Sequence, residues 1–158
     1  VLLMPNLADT GSAVILRRGD LADLPAVEGL VRAAGLPAHG VREAFATGCV
    51  AARADGSIVG AAAVEPYGET ALLRSVVVAE AARGTGLGAQ LVRGAEAIAR
   101  DLGIRDLYLL TETAPAWFPR LGYRPIARAA APSAIANSAE FAEACAATAV
   151  LMHRRLED

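Results

Sequence analysis

Aromatic residues supply only 4% of this 158-residue chain, so its core has to be built from Val, Leu, Ile and Ala. No apolar run approaches about 20 residues, which leaves nothing able to cross a membrane as a helix. Basic residues gather nowhere beyond the isolated pairs Arg17-Arg18 and Arg154-Arg155, and the formal net charge is −2, which argues against a nucleic-acid partner. Histidine is confined to His39 and His153, neither in a metal-ligand spacing, so no metal site is expected. The two cysteines, Cys49 and Cys145, lie far apart without a Cys-x-x-Cys spacing; a reduced cytoplasmic chain is a simpler reading than a single disulfide.

What is present points to one folded domain. Hydrophobic residues make up 54% and charged residues 20%, which excludes a disordered chain, and the length suffices to bury a core. Residues 1–12 lack a basic leader pattern and carry a weak apolar stretch; they are read as a flexible N-terminal segment ahead of a single domain over 13–158.

Residues 14–17 read as a strand. Asp20 is placed to cap the helix that follows, with Pro25 near its start and Leu24, Val27, Leu30, Val31 and Ala34 at helical spacing. A shorter helical stretch covers 41–46. Strands over 49–53 and 57–64 flank Ala54-Asp55-Gly56, a hairpin signal. A second turn is expected at Pro66-Tyr67-Gly68-Glu69, before a strand over 71–78. Residues 86–102 then form an amphipathic helix, with Leu87, Leu91, Val92, Ala95, Ile98 and Ala99 on one side and Gly103 at its end. A strand over 105–110 follows, parallel to the one before the helix. A short helix over 115–121, a strand over 124–128, a helix from Ser138 through Ala144 and a strand over 148–152 complete the pattern. The fold class is α/β (α+β), with an antiparallel meander first and a strand–helix–strand unit second.

The chemistry centres on Arg83-Gly84-Thr85-Gly86-Leu87-Gly88, at the mouth of that long helix. Its glycines let the backbone turn tightly and approach a ligand, and the helix behind them points free N–H groups at any anion there. Gly84-x-Gly86-x-x-Ala89 also satisfies a dinucleotide fingerprint. Against that reading stand the polar link 79–83 between strand and glycines, the antiparallel meander, and too little chain after Leu110 for a doubly wound sheet.

Arg83-x-x-Gly86-x-Gly88 resembles the Arg/Gln-x-x-Gly-x-Gly/Ala signature of the GNAT N-acetyltransferases. Trp117-Phe-Pro-Arg-Leu-Gly-Tyr123 is similar to a second segment of that family, and the order of elements over residues 13–128 fits it. The resemblance implies a mixed central sheet of about six to seven strands with flanking helices. It implies acetyl-CoA as cosubstrate, in a cleft between two splayed central strands. Backbone groups of Val76, Val77 and Val78 would bind the pantetheine arm, and Arg83, Gly84, Thr85, Gly86, Leu87, Gly88 and Ala89 the pyrophosphate. Residues 109–118 are similar to the acetyltransferase domain of N-acetylglutamate synthases. Arg128, Ala131-Pro132, Ile135, Glu140-Phe141, Cys145, Ala149 and Met152 resemble the acetyltransferases of arsenic-resistance operons, the second ArsN type. A homodimer is compatible with the family's habits, and a small-molecule amine is the implied acceptor.

Two helpers common in the family are absent. Where many members place a Glu in the strand before the motif this chain has Leu72, and where they place a Tyr in the aromatic segment it has Phe118. Glu65 and Glu112 are the remaining candidates to accept a proton, each with the alternative of a solvated carboxylate. Arg74, alone among apolar neighbours, is either an anchor for a substrate carboxylate or the partner of Glu65 or Glu112. Ser75 lacks the context of a catalytic nucleophile. Cys49 and Cys145 are either buried structural thiols or ligands for trivalent arsenic. The expected activity is acetyl transfer to a small amino acid or amino-acid-like compound, arsenicals included. The alternative is a degenerate member that binds CoA or an effector without turnover.

Overall fold

In the computed structural model, which describes residues 13–144 and 147–157, a seven-stranded mixed sheet carries helices on both faces. The strands are β1 (Val14–Arg18), β2 (Gly48–Arg53), β3 (Ile58–Tyr67), β4 (Thr70–Val78), β5 (Asp106–Thr111), β6 (Arg124–Pro125) and β7 (Val150–Arg155). Their order across the sheet is β1-β2-β3-β4-β5-β7-β6. The first four form the antiparallel meander, β5 lies parallel to β4, and β7 enters antiparallel between β5 and β6. The last strand therefore completes the sheet within its own chain.

Helix α1 (Leu24–Ala33) follows a 3-10 turn whose capping box is made by Asp20 and Asp23. The Asp20 carboxylate accepts from the Ala22 amide at 2.7 Å, and Asp23 accepts from the Asp20 amide at 3.0 Å. Asp20 thus caps as expected, but it caps this preceding turn. Helices α1 and α2 (Val41–Phe45) cover one face, where Val27, Val31, Val41 and Phe45 pack on Val50, Ala61 and Val77. Helix α3 (Leu87–Asp101) covers the other, setting Leu91, Val92, Ala95 and Ala99 against Val64, Leu73 and Leu107. A third cluster, Leu72, Tyr108, Ile135 and Leu151, lies under the short α4 (Ser133–Ala136).

Several boundaries differ from the sequence reading. Strand β3 runs on through Pro66 and Tyr67, so the turn is only Gly68-Glu69, with Gly68 at φ +68°. Pro66 is tolerated because β2 pairs with β3 only as far as Gly48–Ala63, so no neighbour on that side needs its missing N–H. Strand β6 is two residues long, and a 3-10 turn over Arg128–Ala130 replaces the rest of the strand expected there. Ser138 Oγ accepts from the Phe141 amide at 3.3 Å, but residues Glu140–Ala144 wind as a π-turn instead of an α-helix. Strand β7 lies two to three residues later than expected. Cys145 falls outside the described residues.

One irregularity positions the site. The β3–β4 register slips between Ala61 and Ala63, which pair with Val77 and Arg74. Strand β4 therefore carries one extra residue there. Ala71 and Leu73 face α3 before the slip, while Val76 and Val78 face it afterwards. Val77 then turns to the α1 side. Without the extra residue that alternation would be reversed.

Candidate functional site

Strands β4 and β5 pair over only three residues each, from Thr70–Asp106 to Leu72–Tyr108. Beyond that point they diverge, and a cleft of about 560 Å³ opens between them. Leu73, Ser75, Val76, Val77 and Val78 form one wall, and Leu109, Thr111 and Glu112 the other. Trp117 and Phe118 close it toward α3; Leu36 and Pro37, in the loop after α1, close it on the opposite side. The strand edges are unpaired where they separate, so their backbone groups are available to a ligand. A cavity of this size suits one extended small molecule.

At one end stands the mouth of α3. Gly86 is its N-cap at φ +79°, a left-handed conformation that glycine adopts without strain. Among the described residues, the amides of Leu87, Gly88 and Ala89 have no carbonyl partner, as the first turn of a helix requires, an arrangement suited to a negatively charged group. Gly88 packs closely beside it: a Cβ there falls 3.2 Å from the Trp117 ring and 3.7 Å from Val78. Thr85 Oγ1 donates to the Ala82 carbonyl at 2.7 Å and fixes the preceding turn. Arg83 is exposed and donates from Nε to the Val78 carbonyl at 3.1 Å, holding a positive charge at the rim.

At the other end lies Arg74, only 4% exposed. Its Nη1 donates to Glu65 at 3.0 Å, its Nη2 to the His39 carbonyl, and its Nε faces Glu140 at 3.4 Å. That last contact is an ion pair without hydrogen-bond geometry. One N–H on each terminal nitrogen remains beyond these contacts, since a guanidinium carries five donors. Gly40 packs directly on the guanidinium, where a Cβ would sit 2.8 Å from Nη1.

The two candidate carboxylates are placed differently. Glu65 sits across from Leu72 on β3, accepts hydrogen bonds from Arg74 and Tyr67, and lies outside the residues lining the cleft. Burial and the Glu65 carboxylate push the Tyr67 phenol up to about 12, so it stays a proton donor at neutral pH. Glu112 is exposed, lines the cleft just past β5, and accepts from Thr148 Oγ1 at 2.9 Å. Leu72 is fully buried beside Tyr108 and offers no proton acceptor. Phe118 packs edge-on against Trp117 and Tyr123, with centroids 4.9 and 5.8 Å away. The Tyr123 hydroxyl is committed to buried Glu96 at 2.9 Å, and burial drives its pKa far above the ordinary range. Cys49 is buried on the α3 side, where desolvation raises its thiol to about 11.

Three features of the cleft were not readable as site residues in the sequence. Glu140 reaches Arg74 across 66 positions of chain, and only its match to a C-terminal pattern had marked it. Leu36 and Pro37 are apolar loop residues that belong to no motif. Ser75 is the sole non-glycine residue with positive φ among those described, at +54°. Holding an L-residue there costs on the order of 1–2 kcal/mol.

Comparison with known proteins fits this architecture. Residues 27–123 match the acetyltransferase (GNAT) family. Over 74 residues, 44% of this chain, it is 40% identical to an amino-acid acetyltransferase of Ralstonia nicotianae, covering 16% of that protein. The N-acetylglutamate synthase of Neisseria gonorrhoeae, solved with coenzyme A and N-acetyl-glutamate, superposes with a TM-score of 0.79 at 20% identity, covering 93% of this chain and 36% of that one. A Mycobacterium tuberculosis protein solved with coenzyme A gives a TM-score of 0.76 at 24% identity, over 90% of this chain and 99% of its own. The chain thus spans about a sixth of that curated relative and about a third of the gonococcal synthase.

Proposed function

The chain belongs to the acetyltransferase (GNAT) family, and from that premise we propose that it transfers the acetyl group of acetyl-CoA to the amine of a small amino-acid-like acceptor. The observation that carries this reading is the cleft itself. It opens where β4 and β5 part, with free helix amides at one end and a buried guanidinium at the other. The pyrophosphate would rest on the amides of Leu87, Gly88 and Ala89, with Arg83 beside it and Gly84, Thr85 and Gly86 shaping the turn. The pantetheine arm would pair with the open edge of Val76, Val77 and Val78. In that placement the thioester points toward Arg74 and the acceptor enters from beyond it.

The reaction needs a neutral amine to attack the thioester carbonyl, loss of one proton from nitrogen, and departure of the thiolate. Glu112 lines the cleft and is accessible to water, so it takes the amine proton directly or through one solvent molecule. Glu65 is engaged by Arg74 and Tyr67, and serves to orient the guanidinium. Arg74 offers its two remaining N–H groups to an acceptor carboxylate. An amine that arrives neutral needs no dedicated base, which accommodates Leu72 and Phe118 in place of the usual helpers. Amino-acid acceptors are favoured by the Ralstonia and Neisseria relatives, and amino-acid-like arsenicals by the C-terminal residues around Glu140-Phe141. A cytoplasmic location and a homodimer belong to the same reading and rest on family resemblance.

A second reading is a module that binds CoA without turnover; Leu72 and Phe118 favour it. CoA release from acetyl-CoA, followed across amino acids, polyamines and amino-acid-like arsenicals, separates the two. Turnover with a carboxylate-bearing amine supports acetyl transfer as described. Micromolar acetyl-CoA binding with no turnover on any acceptor supports the module.

A further inference from the structure

We propose that the pocket beside β7, where β6 stops, is a second ligand site, for a small anion carrying several phosphate groups. It shares no residue with the cleft, so the inference does not depend on the acetyl-CoA reading. The cavity holds about 690 Å³, a volume that suits a small molecule. Four arginines line it, Arg100, Arg124, Arg154 and Arg155, together with His153 and one carboxylate, Glu157. Four formal positive charges thus face one negative, in a chain whose net charge is −2. The chain contains no lysine, so each of these cations is a planar fork that matches phosphate oxygens in pairs.

Two of the arginines are balanced and build the floor. Arg154 Nη1 donates to buried Glu96 at 2.8 Å and to the Leu121 carbonyl at 2.6 Å. Its Nε packs against Gly122, where a Cβ would fall 3.4 Å away. Arg155 donates to Asp106 at 3.0 Å, and His153 Nε2 lies 2.7 Å from the other oxygen of that carboxylate. The remaining two are unbalanced. Among the described residues, the Arg124 side chain has no hydrogen bond or ion pair, and Arg100 donates only to the Glu157 carbonyl, at 2.9 Å. Like charges that converge on one concavity repel, and a multivalent anion between them removes that cost. The backbone adds a donor. Leu156 gives its N–H to the Arg105 carbonyl, toward β5. Alternation along β7 turns the Arg155 N–H the other way, past the Arg124–His153 pair where the β6 ladder stops. A nucleic-acid backbone needs a stripe of cations along a face; these converge on one cavity, which fits a compact polyphosphate.

Calorimetric titration with inorganic triphosphate at low ionic strength tests the site, with excess CoA present to occupy the mouth of α3. A dissociation constant on the order of 10–100 µM is expected, rising as salt is added. Arg100→Gln and Arg124→Gln should each weaken triphosphate about 5- to 10-fold, as loss of an exposed charge-assisted contact does. Neither side chain holds an ion pair, so the thermal midpoint without ligand should stay at the wild-type value in both variants. Citrate, which offers carboxylates instead of phosphates, should bind at least about fivefold more weakly than triphosphate. Triphosphate binding weaker than about 1 mM overturns the proposal. Binding that neither substitution weakens places the anion elsewhere and overturns it too. Citrate binding as tight as triphosphate overturns the assignment to phosphates. A chain that fails to bind CoA refutes the acetyl-CoA reading alone, because the two arginine variants still locate the triphosphate.

Discussion

Replacing Arg74 by Met removes a guanidinium that is 2% exposed and takes one cationic partner from Glu65 and Glu140, whose side chains are 22% and 7% exposed. Breaking a buried ion pair from one side costs about 3–5 kcal/mol, because the remaining charge has lost both water and partner. Glu65 is exposed enough to recover some hydration and keeps the Tyr67 hydroxyl, so its share of that cost is the smaller one. For a domain of this length each kcal/mol shifts Tm by about 2–4 °C, so the midpoint should fall by roughly 6–20 °C. Circular dichroism at neutral pH measures it. In a double-mutant cycle with Glu65→Gln, the two changes should couple by about 1–3 kcal/mol, since each removes the other's partner. CoA binding, which the proposed placement sets at the opposite end of the cleft, should survive wherever the variant is folded, while acceptor KM rises. A Tm loss below about 2 °C, or no coupling to Glu65, would refute the view of Arg74 as the electrostatic centre of the acceptor end.

Gly88→Leu should weaken CoA at least about tenfold by calorimetry, because its side chain must share space with Trp117 and Val78, two residues that line the cleft. Glu112→Gln should lower kcat about 100-fold if this carboxylate takes the amine proton, and should remove the acidic limb of the pH–rate profile. An unchanged profile would mean that the amine reacts already neutral. Cys49 makes a signed prediction for stability. Its thiol titrates near 9 when unfolded and near 11 when folded, so above pH 9 the unfolded state binds fewer protons. Unfolding free energy should therefore fall as pH rises from about 9 toward 11, and less steeply in Cys49→Ala.

Periodicity made much of this fold legible, because its signals are local. Leu91, Val92, Ala95 and Ala99 mark the buried face of α3, and Asp55-Gly56 marks the β2–β3 hairpin. The glycine turn at the mouth of α3 was equally readable, since six consecutive residues, 83–88, build it. The end proposed for the acceptor was not. Arg74 stood out as a charge in an apolar strand, but its partner Glu140 comes from a π-turn that no pattern announces. Ser75 looked like an unremarkable strand residue because a register slip is a relation between two strands, invisible in either alone. Pro66 misled for the same reason: whether a proline ends a strand depends on which neighbour needs its N–H.

The place of β7 has a consequence for the order of assembly during synthesis. It is paired with β5 along six residues and is, among the described residues, the only neighbour of β6. Until residues 150–155 leave the ribosome, β5 presents a bare edge and β6 has nothing to pair with. A nascent chain therefore holds its meander and α3 while half of the cleft wall waits for a partner that begins 39 residues downstream, from Thr111 to Val150. Ribosome stalling beyond residue 125 would leave that edge open to other strands, and chaperone contacts should concentrate on β5 during this interval.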